Sequence, residues 1–266
     1  MGVVNTAGVR AEAEIRARAD DRGGTALPVL EGRGPLAVRR TRGSGATAHV
    51  TLVGAMSGPH GGDHFTLRAD VGAGARLRVG SAAATLALPG QHGGRARQTV
   101  RITVAAGGEL HWLPEPLISV TGSELAVGTS VDLELGARLV LREELVLGRT
   151  GEEPGRLTSR LTVRVDGRPV LDQELDCGAG APGGWDGPAV LGGHRAVGQL
   201  VVCDPELADT PVEPDASADG AAVLPLAGPA VLVTAVAPDA LRLRRLLDRA
   251  PVSFAPASVS SGAASA

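Results

Sequence analysis

Apolar and polar residues alternate with a period of two along much of this chain. Phe65, Leu67, Ala69 and Val71 form one such run, Val100, Ile102 and Val104 a second, Val131, Leu133 and Leu135 a third, and Leu161, Val163 and Val165 a fourth. Successive side chains of an extended strand point to opposite faces, so each run predicts a strand with one buried face. Several runs lead through the same small-residue turn into another strand: GARL at 74–77, GGEL at 107–110 and GARL at 136–139, at intervals of 33 and 29 residues. A unit recurring at such an interval buries its apolar face by stacking on the next. The pattern predicts an all-β body, a helical-coil-like stack of strands. The strands are expected to be linked by hairpins, and the stack to be distorted because the interval varies. A two-sheet sandwich is the alternative architecture.

Two stretches break the alternation. Residues 178–194 are too rich in Gly and Pro for regular structure, and residues 204–219 carry six acids and no base. Both read as loops, the acidic one, taken to residue 222, as mobile. Near the end, Leu243, Leu246, Leu247 and Ala250 fall at i, i+3, i+4 and i+7 after the start signals Pro238 and Asp239, which predicts a short helix. The resulting organisation is a flexible N-terminus at 1–11, a single domain at 12–250 and a disordered tail at 251–266.

Composition narrows the chemistry. The 266 residues are 43% hydrophobic, enough for a sizeable core, yet the only rings outside histidine are Trp112, Trp185, Phe65 and Phe254. Val, Leu, Ile and Ala must therefore build that core. The 26 basic residues are all arginine and are outnumbered by 29 acids. With a formal charge of −3 and no aromatic residues interleaved with the arginines, the chain does not read as a nucleic-acid binder. The first residues contain no apolar core of signal-peptide length, and the longest apolar run, Ala221–Ala237, is broken by Pro225, Gly228 and Pro229. A cytoplasmic location and no membrane span are expected. Cys177 and Cys203 are too few for a zinc motif or a disulfide framework and read as buried thiols.

Catalytic signatures are missing. A phosphate-binding P-loop needs a lysine, and there is none; nor is there a G-x-S-x-G elbow or an H-E-x-x-H pair. Cys177 and His194 have no supporting signature as a nucleophile and base. An enzyme would need a pocket with a perturbed acid or base, for instance around Glu143 and His111. In GPHGGDH at 58–64, His60, Asp63 and His64 are chemically suited to a transition metal, but glycines supplying a tight turn around one backbone-binding carboxylate explain the stretch as well. HWLPEPLI at 111–118 and REELVLGRTGEE at 142–153 gather a tryptophan, prolines and carboxylates, with a solvated acidic strand edge as the plain alternative.

Taken in order, DRGGT at 21–25, GPLAVRR at 34–40, GPHGGD at 58–63, VGAGARLRVGSAAAT at 71–85, ELHWLPEPLI at 109–118 and EELVLGRTGE at 143–152 resemble successive blocks of the urease accessory protein family UreD, also called UreH. The resemblance implies a β-rich, helical-coil-like scaffold with one or two short helices, no catalytic residues and no tightly bound cofactor. It implies partners: UreF, UreG reached through UreF, and the urease apoprotein, to which the assembly delivers Ni2+, with a tunnel through the protein as the ion's route. It carries Gly61, Gly62 and Asp63 as the matched turn, so the opening of that strand reads as a turn presenting one carboxylate, with His60 and His64 outside the motif. Asp63, Thr85, Glu143 and Glu144 become candidate waypoints for transient nickel. Trp112, Leu113, Pro114, Glu115, Arg149 and Glu152 become partner-binding or structural positions, Trp112 serving either as a partner-facing anchor or as a large core residue. The chain departs from the family block after Ala75, where Ala82 stands for a glutamine and Leu86 for a lysine while Thr85 is kept.

Overall fold

The computed structural model describes residues 8–43, 45–91, 93–209, 212–217 and 220–249. The chain opens with two hairpins, β1 (Arg10–Ala19) with β2 (Thr25–Arg33) and β3 (Leu36–Thr41) with β4 (Ala48–Gly54). Three coils follow. The first contains β5 (His64–Val71), β6 (Arg76–Ser81) and β7 (Thr85–Ala87). The second contains β8 (Ala96–Val104), β9 (Glu109–Leu113) and β10 (Leu117–Ser119), and the third β11 (Glu124–Leu133) and β12 (Arg138–Leu147). A hairpin of β13 (Arg156–Val165) and β14 (Arg168–Cys177) and strand β15 (Ala196–Cys203) come next. Then come a short 3-10 turn at Pro205–Ala208, β16 (Asp215–Ser217), β17 (Ala221–Pro225), β18 (Ala230–Ala237) and helix α1 (Ala240–Asp248).

These strands form two facing sheets. One has seven strands in the order β14-β13-β11-β8-β5-β1-β2; the other has eleven, running β16-β17-β18-β15-β12-β9-β6-β4-β3 with β7 and β10 attached. Within the first, Phe65, Gln98, Val127 and Ser159 stand in parallel register, and within the second Leu77, Leu110 and Leu139 do. The offsets, 33 and then 29 residues, equal the spacing of the small-residue turns. Those turns stack: Gly74, Gly107 and Gly136 all have positive φ (69°, 70° and 88°), and the Gly107 amide donates to the Gly136 carbonyl at 3.1 Å. The expected hairpins are corrected here. Each such turn is an arch that moves the chain from one sheet to the other, so the apolar faces of β5 and β6, β8 and β9, and β11 and β12 meet across the interior. The coil stack and the sandwich are thus one object, a coil whose two walls are sheets. Leu135, expected in the third alternating run, is 69% exposed because the strand ends at Leu133, before the arch.

The boundaries differ from expectation at two places. Arg10 and Ala11, assigned to a flexible N-terminus, begin β1 and pair with His64 and Phe65. The acidic segment contains the 3-10 turn, β16 and the start of β17. Residues 1–7 and the expected tail at 251–266 lie outside the described residues. The predicted helix forms as read: Asp239 caps it by accepting from the Arg242 amide at 2.8 Å, and Leu243, Leu246 and Leu247 bury its inner face against β15 and β18. Ala250 is outside the described residues.

Two apolar clusters lie between the sheets. The larger holds Ile15, Leu67, Val79, Ile102, Trp112, Leu141 and Leu161; the other holds Ala87, Leu117, Leu125, Leu145 and Leu157. On β12 the two clusters are separated by a single inward position, Glu143, between Leu141 and Leu145.

Candidate passage between the sheets

A cavity of about 490 Å³ opens at that level. Its origin lies in the strand lengths. Between equivalent register positions, the first coil takes six residues (Val79 to Thr85), the second five (Trp112 to Leu117) and the third four (Leu141 to Leu145). The surplus residues leave the sheet: β6 and β7 are separated by Ala82–Ala84, and β9 and β10 by Pro114–Pro116. Proline cannot donate to a ladder, so the PEP segment interrupts the sheet for a covalent reason. Ser81 ties the two bulges together, its hydroxyl accepting from the Glu115 amide at 2.8 Å and donating to the Ala83 carbonyl at 3.1 Å. Thr85, Trp112, Pro114, Glu115, Glu143 and Glu144 all line the cavity.

Glu143 stands at an inward position of β12. Its Oε1 accepts from the Ser159 hydroxyl at 3.0 Å and its Oε2 from the Gln199 amide at 2.9 Å, and no cation pairs with it among the described residues. Burial pushes its pKa above the ordinary carboxylate value, and the two neutral hydrogen bonds offset this only in part. A second, small void of about 20 Å³ shares Glu143 and Leu145 with the first and continues to Gln173, Gln199 and Thr234. Glu143 therefore stands where two spaces meet. Gln199 is 8% exposed and its Oε1 has no hydrogen-bond partner among the described residues.

Glu144 points to the other face of β12, where its side chain is fully buried under α1. Arg244 of α1 donates to it through Nε at 3.0 and 3.1 Å and also through Nη2, and reaches both oxygens of Glu115 at 3.2 Å. Hydrogen bonding to Glu144 raises the Arg244 pKa still further. Arg142 Nε lies 3.2 Å from Glu144, and its Nη1 3.3 Å from Asp248 of α1. The helix is thus clamped beside the cavity mouth by charge pairs as well as by its leucines.

The remaining candidates lie elsewhere. Asp63 is 3% exposed and is not at the cavity: Oδ1 accepts from the Val9 amide and Oδ2 from the His60 amide, both at 2.8 Å. It pins the chain entering β1 to the glycine turn. Gly61 packs backbone to backbone, a Cβ there falling 2.6 Å from the Gly94 carbonyl oxygen, and Gly62 has φ 92°. Among the described residues no group of three or more His, Cys, Asp or Glu side chains is placed to hold a metal ion. Trp112 is 5% exposed and belongs to the larger core cluster, with one side at the cavity; Leu113 is half-buried on the opposite face of β9. Arg149 and Glu152 pair in an exposed turn, Nε to Oε1 at 2.9 Å, which lowers the Glu152 pKa. His111 faces away from Trp112, toward Glu109 at 3.0 Å, so it is not brought to Glu143.

Sequence reasoning missed Gln98, Thr129, Ser159 and Gln199. Each is a polar residue at an inward position of an otherwise apolar face, as Thr129 is between Val127 and Val131. Placing the runs in register at the 33- and 29-residue offsets would have exposed Gln98 and Thr129, whereas Ser159 and Gln199 lie on strands outside that repeat.

The family model described as "UreD urease accessory protein" matches residues 9–264. The chain belongs to the UreD family. It is 72% identical over 247 residues to a "Urease accessory protein UreD" of Streptomyces coelicolor, covering 93% of this chain and 97% of that one. It is 70% identical over 247 residues to the namesake of Streptomyces avermitilis, and 42% identical over 260 residues to that of a Parafrankia strain. The cavity and its carboxylates are therefore features of a UreD-type accessory protein of urease, and the relatives' names describe an accessory rather than a catalytic role.

Proposed function

We propose that this protein is a cytoplasmic, non-catalytic scaffold that delivers nickel to apo-urease within a complex containing UreF and, through it, UreG. The interior polar layer is the ion's route. The observation that carries this reading is Glu143: a carboxylate without a counter-cation, set between two apolar clusters at the junction of two cavities. A conduit must hold its ion firmly enough to admit it and loosely enough to release it. Single oxygens from Thr85, Thr129, Glu143 and Gln199 meet that requirement, whereas a multidentate cluster would retain the ion. Glu144 contributes at the cavity wall, where Arg244 holds it, and Asp63 serves the turn. The test is urease activation at limiting nickel with Glu143→Leu. Activation should fall at least tenfold while the variant still co-purifies with UreF; full activation with intact complex would remove the route through Glu143.

A further inference from the structure

The seven-stranded sheet buries one face, and no described element packs on the other. On three central strands, the outward positions 64, 66 and 68 of β5, 97, 99 and 101 of β8, and 126, 128 and 130 of β11 contain no carboxylate. Arg68 and Arg101 are direct neighbours in register, and Arg97 follows on the same face of β8. All three are exposed, and none has an ion pair or side-chain hydrogen bond among the described residues. The acids around this area are Glu14, the register neighbour of Arg68 on β1, which pairs with Arg16; Asp70 with Arg18 and Thr103; Asp132 with Arg164; Glu124 with Arg95; and Glu12, beside Thr66. Like charges side by side on a sheet oppose folding, and Glu14, the neighbour of Arg68 on its other side, is taken by Arg16, so no ion pair among the described residues offsets the Arg68–Arg101 repulsion.

A second observation comes from Gly128, in the middle of β11 beside these arginines. Glycine weakens a strand and is kept where something approaches its backbone closely. In β2, Gly32 is required by the fold, since a Cβ there would fall 2.3 Å from the Leu36 carbonyl oxygen; in β15, Gly198 has the Glu143 carbonyl at 2.9 Å. At Gly128 a Cβ would meet nothing within 4 Å. With Ala126 it forms a shallow trough on the open face, next to the three free guanidiniums.

We infer that this face is a docking surface for an acidic segment of urease, its backbone lying in the Ala126–Gly128 trough and its carboxylates reaching Arg68, Arg97 and Arg101. The inference rests on the proposal that the chain serves urease in a complex. Guanidinium forks match carboxylates in geometry and charge. Nucleic acid fits less well, because the chain is net acidic and no aromatic side chain stands at these outward positions.

The test is biolayer interferometry with purified apo-urease and, separately, purified UreF, on four forms of the full chain: the parent, Arg68→Glu/Arg101→Glu, Gly128→Val, and Arg40→Glu/Arg42→Glu as a control with the same charge change on exposed arginines elsewhere. Thermal melts accompany each. The expected result is that Gly128→Val melts no lower than the parent, because valine suits a strand, yet binds apo-urease at least tenfold more weakly. The face reversal should lose as much, the control should stay within about twofold, and UreF binding should be unchanged in all. Equal losses for face reversal and control, or full binding by Gly128→Val, would overturn the docking face while leaving the scaffold role intact. Losses confined to UreF would overturn the assignment to urease. A parent that binds no apo-urease would overturn the scaffold reading, and this inference with it.

Discussion

Arg244→Met tests whether α1 is held at the cavity mouth by charge. Glu144 has a fully buried side chain, and Arg244, 26% exposed, supplies most of its hydrogen bonds. Methionine keeps the length and helix propensity of the arginine stem, so the loss is the guanidinium itself. Removing one partner of a buried pair costs about 3–5 kcal/mol, because the other charge is left without compensation. Arg142 Nε, 3.2 Å away, remains, which puts the expected loss near the lower end, about 3 kcal/mol. At about 2–4 °C per kcal/mol for a domain of this size, the melting temperature should fall by about 6–12 °C in differential scanning calorimetry. Adding Glu144→Gln should recover most of that loss, since the uncompensated charge goes with it. A fall of less than about 2 °C for Arg244→Met, or no recovery in the double variant, would refute the reasoning and leave the leucines as the sole anchor of the helix.

Other groups give sharper single readings. Glu143 has a raised pKa in the folded state, so the folded protein binds the extra proton between the ordinary carboxylate value and the raised one; stability attributable to this group falls as pH rises through that window. Glu143→Gln should therefore melt higher than the parent at pH 7 and equally at pH 4, and the opposite order would mean the carboxylate is compensated. Gly61→Ala places a Cβ 2.6 Å from the Gly94 carbonyl oxygen and 2.9 Å from the Gly90 nitrogen, and should cost about 1–3 kcal/mol in urea denaturation; a neutral result would show that the glycine stack can spread. Burial pushes the thiol pKa of both Cys177 and Cys203 up to about 12, so neither should react with a disulfide reagent at pH 8 until denaturant is added. A thiol reacting promptly in the native protein would contradict that burial.

The fold was largely legible because its two signals are local. Alternation marks each strand, and a glycine at positive φ marks each passage between sheets, so the offsets of 33 and 29 residues appear in the letters before they appear as register. What could not be read was the direction of those turns. Gly-Ala-Arg-Leu is compatible with a hairpin or an arch, and only the partner strands, about 30 residues away, decide between them. The site was legible in part for the same reason. Glu143 and Thr85 lie in recognisable blocks, but Ser159 and Gln199 join Glu143 through tertiary pairing. Asp63 drew attention as a carboxylate beside two histidines, and nothing in the sequence shows that both its oxygens are taken by backbone amides.

The arrangement of strand lengths links fold to function. A stack of identical coils would seal its interior, because equal segments put every inward residue in register with an apolar neighbour. Here the connection between the two halves of each coil shortens from six residues to five to four, and the surplus must leave the sheet. Polar residues can be tolerated inside only where such a break gives them space and neighbours that hydrogen-bond, and Glu143 is placed at that level. Deleting one residue from Ala82–Ala84 should therefore narrow the cavity without disturbing the arches at Gly74 and Gly107, which lie at the opposite end of β6 and β9. Far-ultraviolet circular dichroism should stay that of the parent while urease activation at limiting nickel falls. A deletion variant that folds and activates normally would show that the changing length of the coils is incidental to the passage.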